Sequence, residues 1–463
     1  MKAPLLGVTA RQALMALAAG LLGAAAFPPL SLWPLMLVSA ALLVRLLRDL
    51  DTQTARNAGL LYGLAFAGGT MHWMFQIFGV FACSLLVVMA AYYGLLATLF
   101  ASTRGLSVTL RVCLAAVFAV SVEWLRGDAW YLRFPWYAPP HALAQVPVMA
   151  AAARWLGAYG LSFIVWLIAA AGAFRPRAYA AFLLLPACWF LLPSAGKPDR
   201  RALLLQTEMG GVEQLIAATP SENVDLVVLP ELAFTRSPEA VISERNGPAS
   251  LARKTNAPVV FGAVEGVYGK MPFSNVVAVI GSNGRLLGAF PKQRPVPLLL
   301  DGAPGQRRPV FETKQGVLGV AICYDFDAPP TAGALVHSGA TVLVAPTMDA
   351  MRWGQVQHEH HALLFRLRAI ENDRWLVRAA SSGRSEVISP LGVPSREAME
   401  FGEEGRVVLP FAHRRSWALG GQLSFLGPAA TAGTVLFFIG RCLLWTRSRW
   451  RGRVMASPPA NRS

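Results

Sequence analysis

The chain has 463 residues, of which 54% are hydrophobic and only 15% charged. Soluble domains carry about 25% charged residues, so intrinsic disorder is excluded and a purely soluble protein is not expected. The net charge of +16 points either to nucleic acid or to an anionic membrane surface. Between residues 195 and 415 there are 24 basic and 22 acidic residues, whereas the remainder holds 18 basic and 4 acidic ones. The excess belongs to the apolar part of the chain, so no nucleic-acid partner is expected.

Up to about residue 193 the sequence is a succession of apolar runs separated by short turns and arginines. Spans are expected over 14–27, 32–47, 58–78, 84–102, 110–124, 156–174 and 179–192, with an eighth over 423–445. Several are shorter than the ~20 residues of a full span, so their ends are set only to within a few residues. The first run, with Ala24, Ala25 and Ala26, has the look of a signal peptide. Six more apolar runs follow it, which makes an uncleaved helix the expectation. A cytoplasmic N-terminus puts Lys2, Arg11, Arg45, Arg48, Arg56, Arg104, Arg111, Arg175 and Arg177 on the inner side, together with six arginines of the tail. Only Arg126, Arg133 and Arg154 then face outwards, and retention of positive charge in the cytoplasm favours this topology. The expected organisation is a membrane domain (1–193), an extracytoplasmic α/β domain (194–415), a return helix (416–446) and a basic cytoplasmic tail (447–463) whose last residues, 456–463, are disordered.

Cys83, Cys113, Cys188 and Cys442 lie in or beside spans, where a thiol acts as a small hydrophobe. Cys323 stands by itself in the polar segment, either buried and inert or a nucleophile. That segment alternates short strands (202–206, 224–229, 259–264, 275–280, 317–322 and 341–345) with helical stretches, the clearest over 358–372. Gly-Ser-Asn-Gly at 281–284 marks a hairpin turn. A layered α/β domain follows.

Three points in it carry chemistry. Val227-Val228-Leu229-Pro230-Glu231 ends a strand on a carboxylate, Phe290-Pro291-Lys292-Gln293-Arg294 sets an amine in a loop, and Gly319-Val320-Ala321-Ile322-Cys323-Tyr324-Asp325 ends a strand on a thiol. Sites of α/β sheets gather at such carboxyl ends. A cysteine nucleophile needs a base and a fixed positive group facing the developing oxyanion, which Glu231 and Lys292 supply. Singly, each has a commonplace explanation: a helix-capping glutamate, a solvated lysine, a core cysteine.

In this order and spacing they resemble the Glu-Lys-Cys triad of the nitrilase superfamily. Gln357-His358 opening a helix that runs on to Glu371-Asn372, then Arg378, Ser382-Gly383 and Ile388-Ser389-Pro390-Leu391-Gly392, resemble the stretch after its nucleophile. In the apolar half, Phe27-Pro28-Pro29 with Trp33-Pro34, Glu123-Trp124-Leu125-Arg126-Gly127 with Phe134-Pro135-Trp136, and Gly157-Ala158-Tyr159-Gly160-Leu161-Ser162-Phe163 resemble the apolipoprotein N-acyltransferases. The resemblance implies a multi-pass helical membrane domain carrying a nitrilase-like four-layer α-β-β-α sandwich on the periplasmic face of a bacterial inner membrane. It further implies transfer of a fatty acyl chain from a phospholipid to the N-terminal amine of a diacylglyceryl-cysteine apolipoprotein, through a Cys323 thioester and with no metal or cofactor. Tyr324, Asp325 and Asp301 are then accessory to the oxyanion site. Trp136, Arg126, Trp73, Trp353 and His358 are candidates to touch substrate, although aromatic residues also collect at membrane interfaces without catalytic duty. Arg126, Glu123 and Asp128 either serve the site or pair with one another. A monomer is expected.

Two departures from the family pattern stand out. Asp301 occupies the place of the usual Gly-Glu acid with a shorter reach, and Tyr324-Asp325 replaces Tyr-Glu. The segments from Gln206 to Glu231 and from Lys292 to Cys323 are also short, and both bear on substrate specificity. His358-Glu359-His360-His361 imitates a metal motif, but Ala362 stands where His-Glu-x-x-His needs its second histidine, so no metal is expected. The competing readings are a membrane-anchored amidase that lets water resolve the same acyl-enzyme, and a catalytically inactive membrane scaffold. The triad argues against the scaffold.

Overall fold

The computed structural model describes residues 7–306 and 310–455, and side chains as far as residue 444. The expectations for Lys2 and for the tail over 456–463 lie outside the described residues. The apolar half folds into helices α1 (Ala10–Ala25), α2 (Leu35–Leu47), α3 (Thr52–Thr70), α4 (Ala82–Ala101), α5 (Val108–Trp124) and α6 (Ala153–Phe174). Thr9 caps α1 and Asp51 caps α3, each accepting backbone N–H groups of the first turn. Among the described residues, four helical segments are long and apolar enough to cross a membrane: Met74–Ala101, Val108–Ala129, Ala153–Phe174 and Gly420–Leu444.

Without water, helices associate through close packing and internal hydrogen bonds. A Cβ on Gly20 would lie 2.3 Å from the Tyr62 carbonyl oxygen, so glycine permits the α1–α3 contact. Between these helices Ser39 Oγ donates to Ala19 O (2.7 Å) and meets Tyr62 Oη at 2.8 Å. The seventh expected span takes another form. Pro176–Leu184 and Pro186–Leu191 are 3₁₀ segments, because each proline lacks the amide that a continuous α-helix would use. The return helix, α11 (Leu426–Met455), continues about one-third of its length past the expected end at residue 445.

The polar segment forms two sheets. One has the order β11 (Gly405–Phe411), β1 (Arg200–Gln206), β2 (Leu226–Val228), β3 (Val259–Val267), β4 (Lys270–Ile280), β5 (Leu286–Pro291). The other runs β10 (Glu386–Ile388), β9 (Leu376–Ala380), β8 (Val342–Thr347), β7 (Gly316–Val320), β6 (Val310–Thr313). β1, β2 and β3 are mutually parallel, as are β7, β8 and β9, and the outer strands are antiparallel.

Strand periodicity builds the layers. Leu204, Val228, Val260, Leu318, Val344 and Val377 point between the sheets, while their neighbours Leu203, Leu205, Val227 and Phe261 pack under helices α7 (Val212–Ala218) and α8 (Pro248–Thr255). Leu343, Ala345 and Leu376 pack under α9 (Pro329–His337) and α10 (Gln355–Asn372). The result is the four-layer α-β-β-α sandwich. α10 also contacts α6: the Ala158 amide donates to Glu371, and Arg154 pairs with Asp373, itself 2.7 Å from Arg414.

Candidate active site

Glu231, Lys292 and Cys323 converge where β2, β5 and β7 end. The chain leaves β2 through Leu229-Pro230, and Leu232 takes a positive φ of 52°, turning the Glu231 carboxylate inward. β3 runs close beneath: a Cβ on Gly262 would sit 2.4 Å from Leu232 N and 2.6 Å from Glu231 Cα. Lys292, immediately after β5, is 1% exposed. Its Nζ lies 2.7 Å from Glu231 Oε1 and 2.7 Å from Asp301 Oδ2. An ammonium has three donors, so one remains after these two pairs. Asn275 on β4 bridges the same two acids, at 2.6 Å from Glu231 and 2.8 Å from Asp301. The shorter Asp301 thus reaches the lysine.

Cys323 opens a 3₁₀ turn, Cys323–Asp327, with φ of +48°. A non-glycine residue in that region costs of order 1–3 kcal/mol and is held there by its surroundings. Sγ contacts Met348 O at 3.8 Å, and Met348 N donates to Glu231 Oε2 at 2.8 Å, so nucleophile and carboxylate flank one residue. Asp325 secures the turn. It accepts from the amides of Gln293 (3.1 Å), Arg294 (2.7 Å) and Ile322 (3.1 Å), joining the lysine loop to the thiol turn.

Burial, then Glu231, pushes the Cys323 thiol well above its ordinary value, against the pull of Lys292. Burial also raises Glu231, opposed by Lys292 and reinforced by Asp301. Lys292 would be lowered by burial, but Asp301 and Glu231 hold it well above the usual range. Asp325 is pushed up to about 6 by burial, with Lys292 and the Arg294 amide resisting. Burial and Glu231 thus favour the neutral thiol, while the two carboxylates favour the charged form of the amine.

A cavity of about 110 Å³ opens from Cys323 towards the helices. Trp73, Arg126, Trp136, Tyr324 and Trp353 line it together with Cys323, and Met74, Ile77, Phe78, Leu85, Val88 and Met89 add apolar helical surface. Five of the sequence candidates are thus brought together. Trp73 Nε1 donates to Tyr137 Oη (2.8 Å), Trp136 Nε1 to Asp327 Oδ2 (2.5 Å), and Tyr324 Oη to Arg133 O (2.6 Å).

His358 does not reach the cavity. Its Nε2 is 3.0 Å from Ala350 O and its ring packs on Phe401, because the helix turns that face away; His361, three residues on, lines the cavity instead. Nor do Arg126, Glu123 and Asp128 pair with one another. Glu123 accepts from Ser162 and Trp166, Asp128 pairs with Arg294 at 2.8 Å, and Arg126 reaches Met89 Sδ at 3.4 Å. Asn275 and Met348 are not among the expected site residues, and His361 figures there only within the rejected metal motif. Asn275 had a local signal, an amide in an otherwise apolar strand; Met348, which acts through its backbone, had none.

Residues 19–171 match the apolipoprotein N-acyltransferase N-terminal domain, and 195–410 the carbon-nitrogen hydrolase domain. The chain is 27% identical to an apolipoprotein N-acyltransferase of Pseudomonas aeruginosa over 89% of its own length and 94% of the relative's. It is 26% identical to those of Pseudomonas syringae, covering 88% and 94%, and Pseudomonas putida, covering 91% and 97%. Among solved structures, an amidase from Nesterenkonia aligns with a TM-score of 0.38 at 21% identity, covering 47% of this chain and 94% of that one. With both domains matched in order between residues 19 and 410, the chain is similar to the apolipoprotein N-acyltransferases along nearly its whole length.

Proposed function

We propose that the protein transfers a fatty acyl chain from a phospholipid to the N-terminal amine of a diacylglyceryl-cysteine apolipoprotein. The observation that carries this reading is the cavity joining the Cys323 thiol to an apolar helical wall, a surface that an acyl chain would cover and a small amide would leave unused. It also sets the amidase and inactive-scaffold readings aside.

Glu231 takes the thiol proton as Cys323 Sγ attacks the sn-1 ester carbonyl. The remaining Lys292 N–H and the backbone N–H of Tyr324 face the oxyanion. The tetrahedral intermediate collapses with loss of the lysophospholipid, whose leaving oxygen takes the proton back from Glu231. The acceptor amine then attacks the thioester, Glu231 relays its proton, and the Cys323 thiol is released. Arg126, a buried cation 3.4 Å from the Met89 sulfur in the cavity lining, meets the donor phosphate in this reading. Asp301 and Asn275 hold Lys292 and Glu231 in register. This site works as a monomer on the periplasmic face of the inner membrane, where both lipid substrates reside.

Intact-mass measurement after incubation with phospholipid tests the reading. A fatty-acyl adduct is expected on the wild type and absent from Cys323→Ala, and discharge of the adduct by a diacylglyceryl-cysteine peptide is expected to yield N-acyl peptide. A wild type that never acquires an adduct, or an adduct that passes only to water, would overturn it.

A further inference from the structure

Four ionisable side chains form a buried chain beside the nucleophile. His361 Nδ1 is 2.7 Å from Asp349 Oδ1, and His361 Nε2 is 3.2 Å from Asp327 Oδ1. Asp349 also pairs with Arg378 on β9. All four side chains are 2% exposed or less. Two carboxylates on the two ring nitrogens require two N–H donors, and only the imidazolium has both. In agreement, burial disfavours the charged ring, but Asp349 and Asp327 raise it to about 9. Trp136 lies over the ring at 5.4 Å with an interplanar angle of 18°, and it donates to the other oxygen of Asp327.

The two acids belong to the segments that make the site. Asp327 closes the 3₁₀ turn that Cys323 opens, and Asp349 follows Met348, which touches both Sγ and Glu231. Asp349 and Asp327 both act on the Cys323 thiol to disfavour its thiolate. Further charged or titratable groups around this chain are His358 and Arg366 on α10, Arg368 beside Asp327, Tyr324, Glu386 on β10, 3.7 Å from Arg378, and Glu231 and Lys292 across the thiol.

We propose that His361 is a positioning residue: held between Asp327 and Asp349, it cancels their charge beside Cys323 and fixes the Trp136 wall of the cavity. The cancelling matters because an uncompensated buried carboxylate near Sγ opposes the negative charge that develops on sulfur during attack. This role rests on acylation of Cys323 as the reaction, but the reactivity of the thiol can be read without lipid.

The test is the rate of Cys323 alkylation by iodoacetamide at pH 7.5 in the full chain in detergent micelles, followed by peptide mass spectrometry. His361→Gln, which leaves two acids against Arg378 alone, is expected to slow alkylation roughly tenfold, the equivalent of about one pKa unit. Asp327→Asn, which keeps the cation, is expected to speed it at least twofold. The double variant removes one charge of each sign and is expected to recover to within threefold of the wild type, a rescue that loss of packing alone would not give. A double variant as slow as His361→Gln overturns the proposal, as does a slower Asp327→Asn, which stands as evidence even where His361→Gln fails to fold. Lipid acylation of the wild type is scored separately, so failure of the acyl-transfer reading and failure of this one are told apart.

Discussion

At the scale of the residue, the site is held by carboxylates with different tasks. Glu231 and Asp301 share Lys292, whereas Asp325 touches only backbone amides and keeps the lysine loop against the thiol turn. Burial lifts Asp325 to about 6, so it is charged above that pH and takes up a proton below it. Protonation weakens its hold on the Arg294 amide. The rate of Cys323 acylation is therefore expected to fall as pH drops through about 6, with the raised Glu231 contributing in the same direction. Asp325→Asn carries no charge at any pH, so acylation by this variant should be at least roughly tenfold slower at pH 7, the usual scale for a lost charge-assisted bond. The part of the acid limb due to Asp325 should vanish, as a pH–rate profile from intact mass would show. An unchanged profile would remove Asp325 from the site.

At the scale of the element, the α/β half was legible wherever a strand is buried on both faces. β1, β3 and β4 each contain one of the expected apolar runs, β2, β7 and β8 each overlap one, and α10 contains the expected helix. β5 is the second arm of the hairpin expected around 281–284, whereas β6 and β11 escaped because they are edge strands with exposed and buried residues interleaved. β9 and β10 escaped for another reason: they bury Arg378 and Glu386, charges that pair with each other across the two strands while Arg378 also pairs with Asp349. Element packing also explains Gly262. Alanine there would press on Leu232 N and Glu231 Cα, so Gly262→Ala is expected to cost about 1–3 kcal/mol, the range for overpacking. It should reduce acylation more than stability, since the first thing displaced is Glu231, the base in the proposed reaction. Thermal unfolding measured beside adduct formation checks this, and a variant with unaltered acylation contradicts the close approach.

At the scale of the whole molecule, the catalytic domain and the membrane helices share one interior. Tyr137 Oη meets His360 Nδ1 at 2.9 Å and donates to Thr70 O at 2.9 Å, while His360 Nε2 lies 2.7 Å from Pro28 O. Phe27, Tyr137 and His360 pack edge to face, at 5.3 Å and 5.1 Å between successive ring centres. The sandwich is thus seated on the same face of the bundle that opens the cavity. Arginine asymmetry leads us to propose that this face lies outside. An alkaline phosphatase inserted in the exposed turn at Asn283 is expected to be active, and one fused after residue 463 inactive. The reverse pattern would invert the topology.

Composition and residue order alone determined that the chain is a membrane protein with a near-neutral α/β domain, and which thiol, amine and carboxylate meet at strand ends. These follow from apolar length, charge placement and strand punctuation, all of which are local properties. Tertiary structure decided that Asp301 reaches Lys292, that His361 rather than His358 faces the cavity, and that Arg126 stands apart from Glu123 and Asp128. Those outcomes depend on which helix face turns inward and on contacts between residues far apart in the chain, and a one-dimensional pattern carries neither.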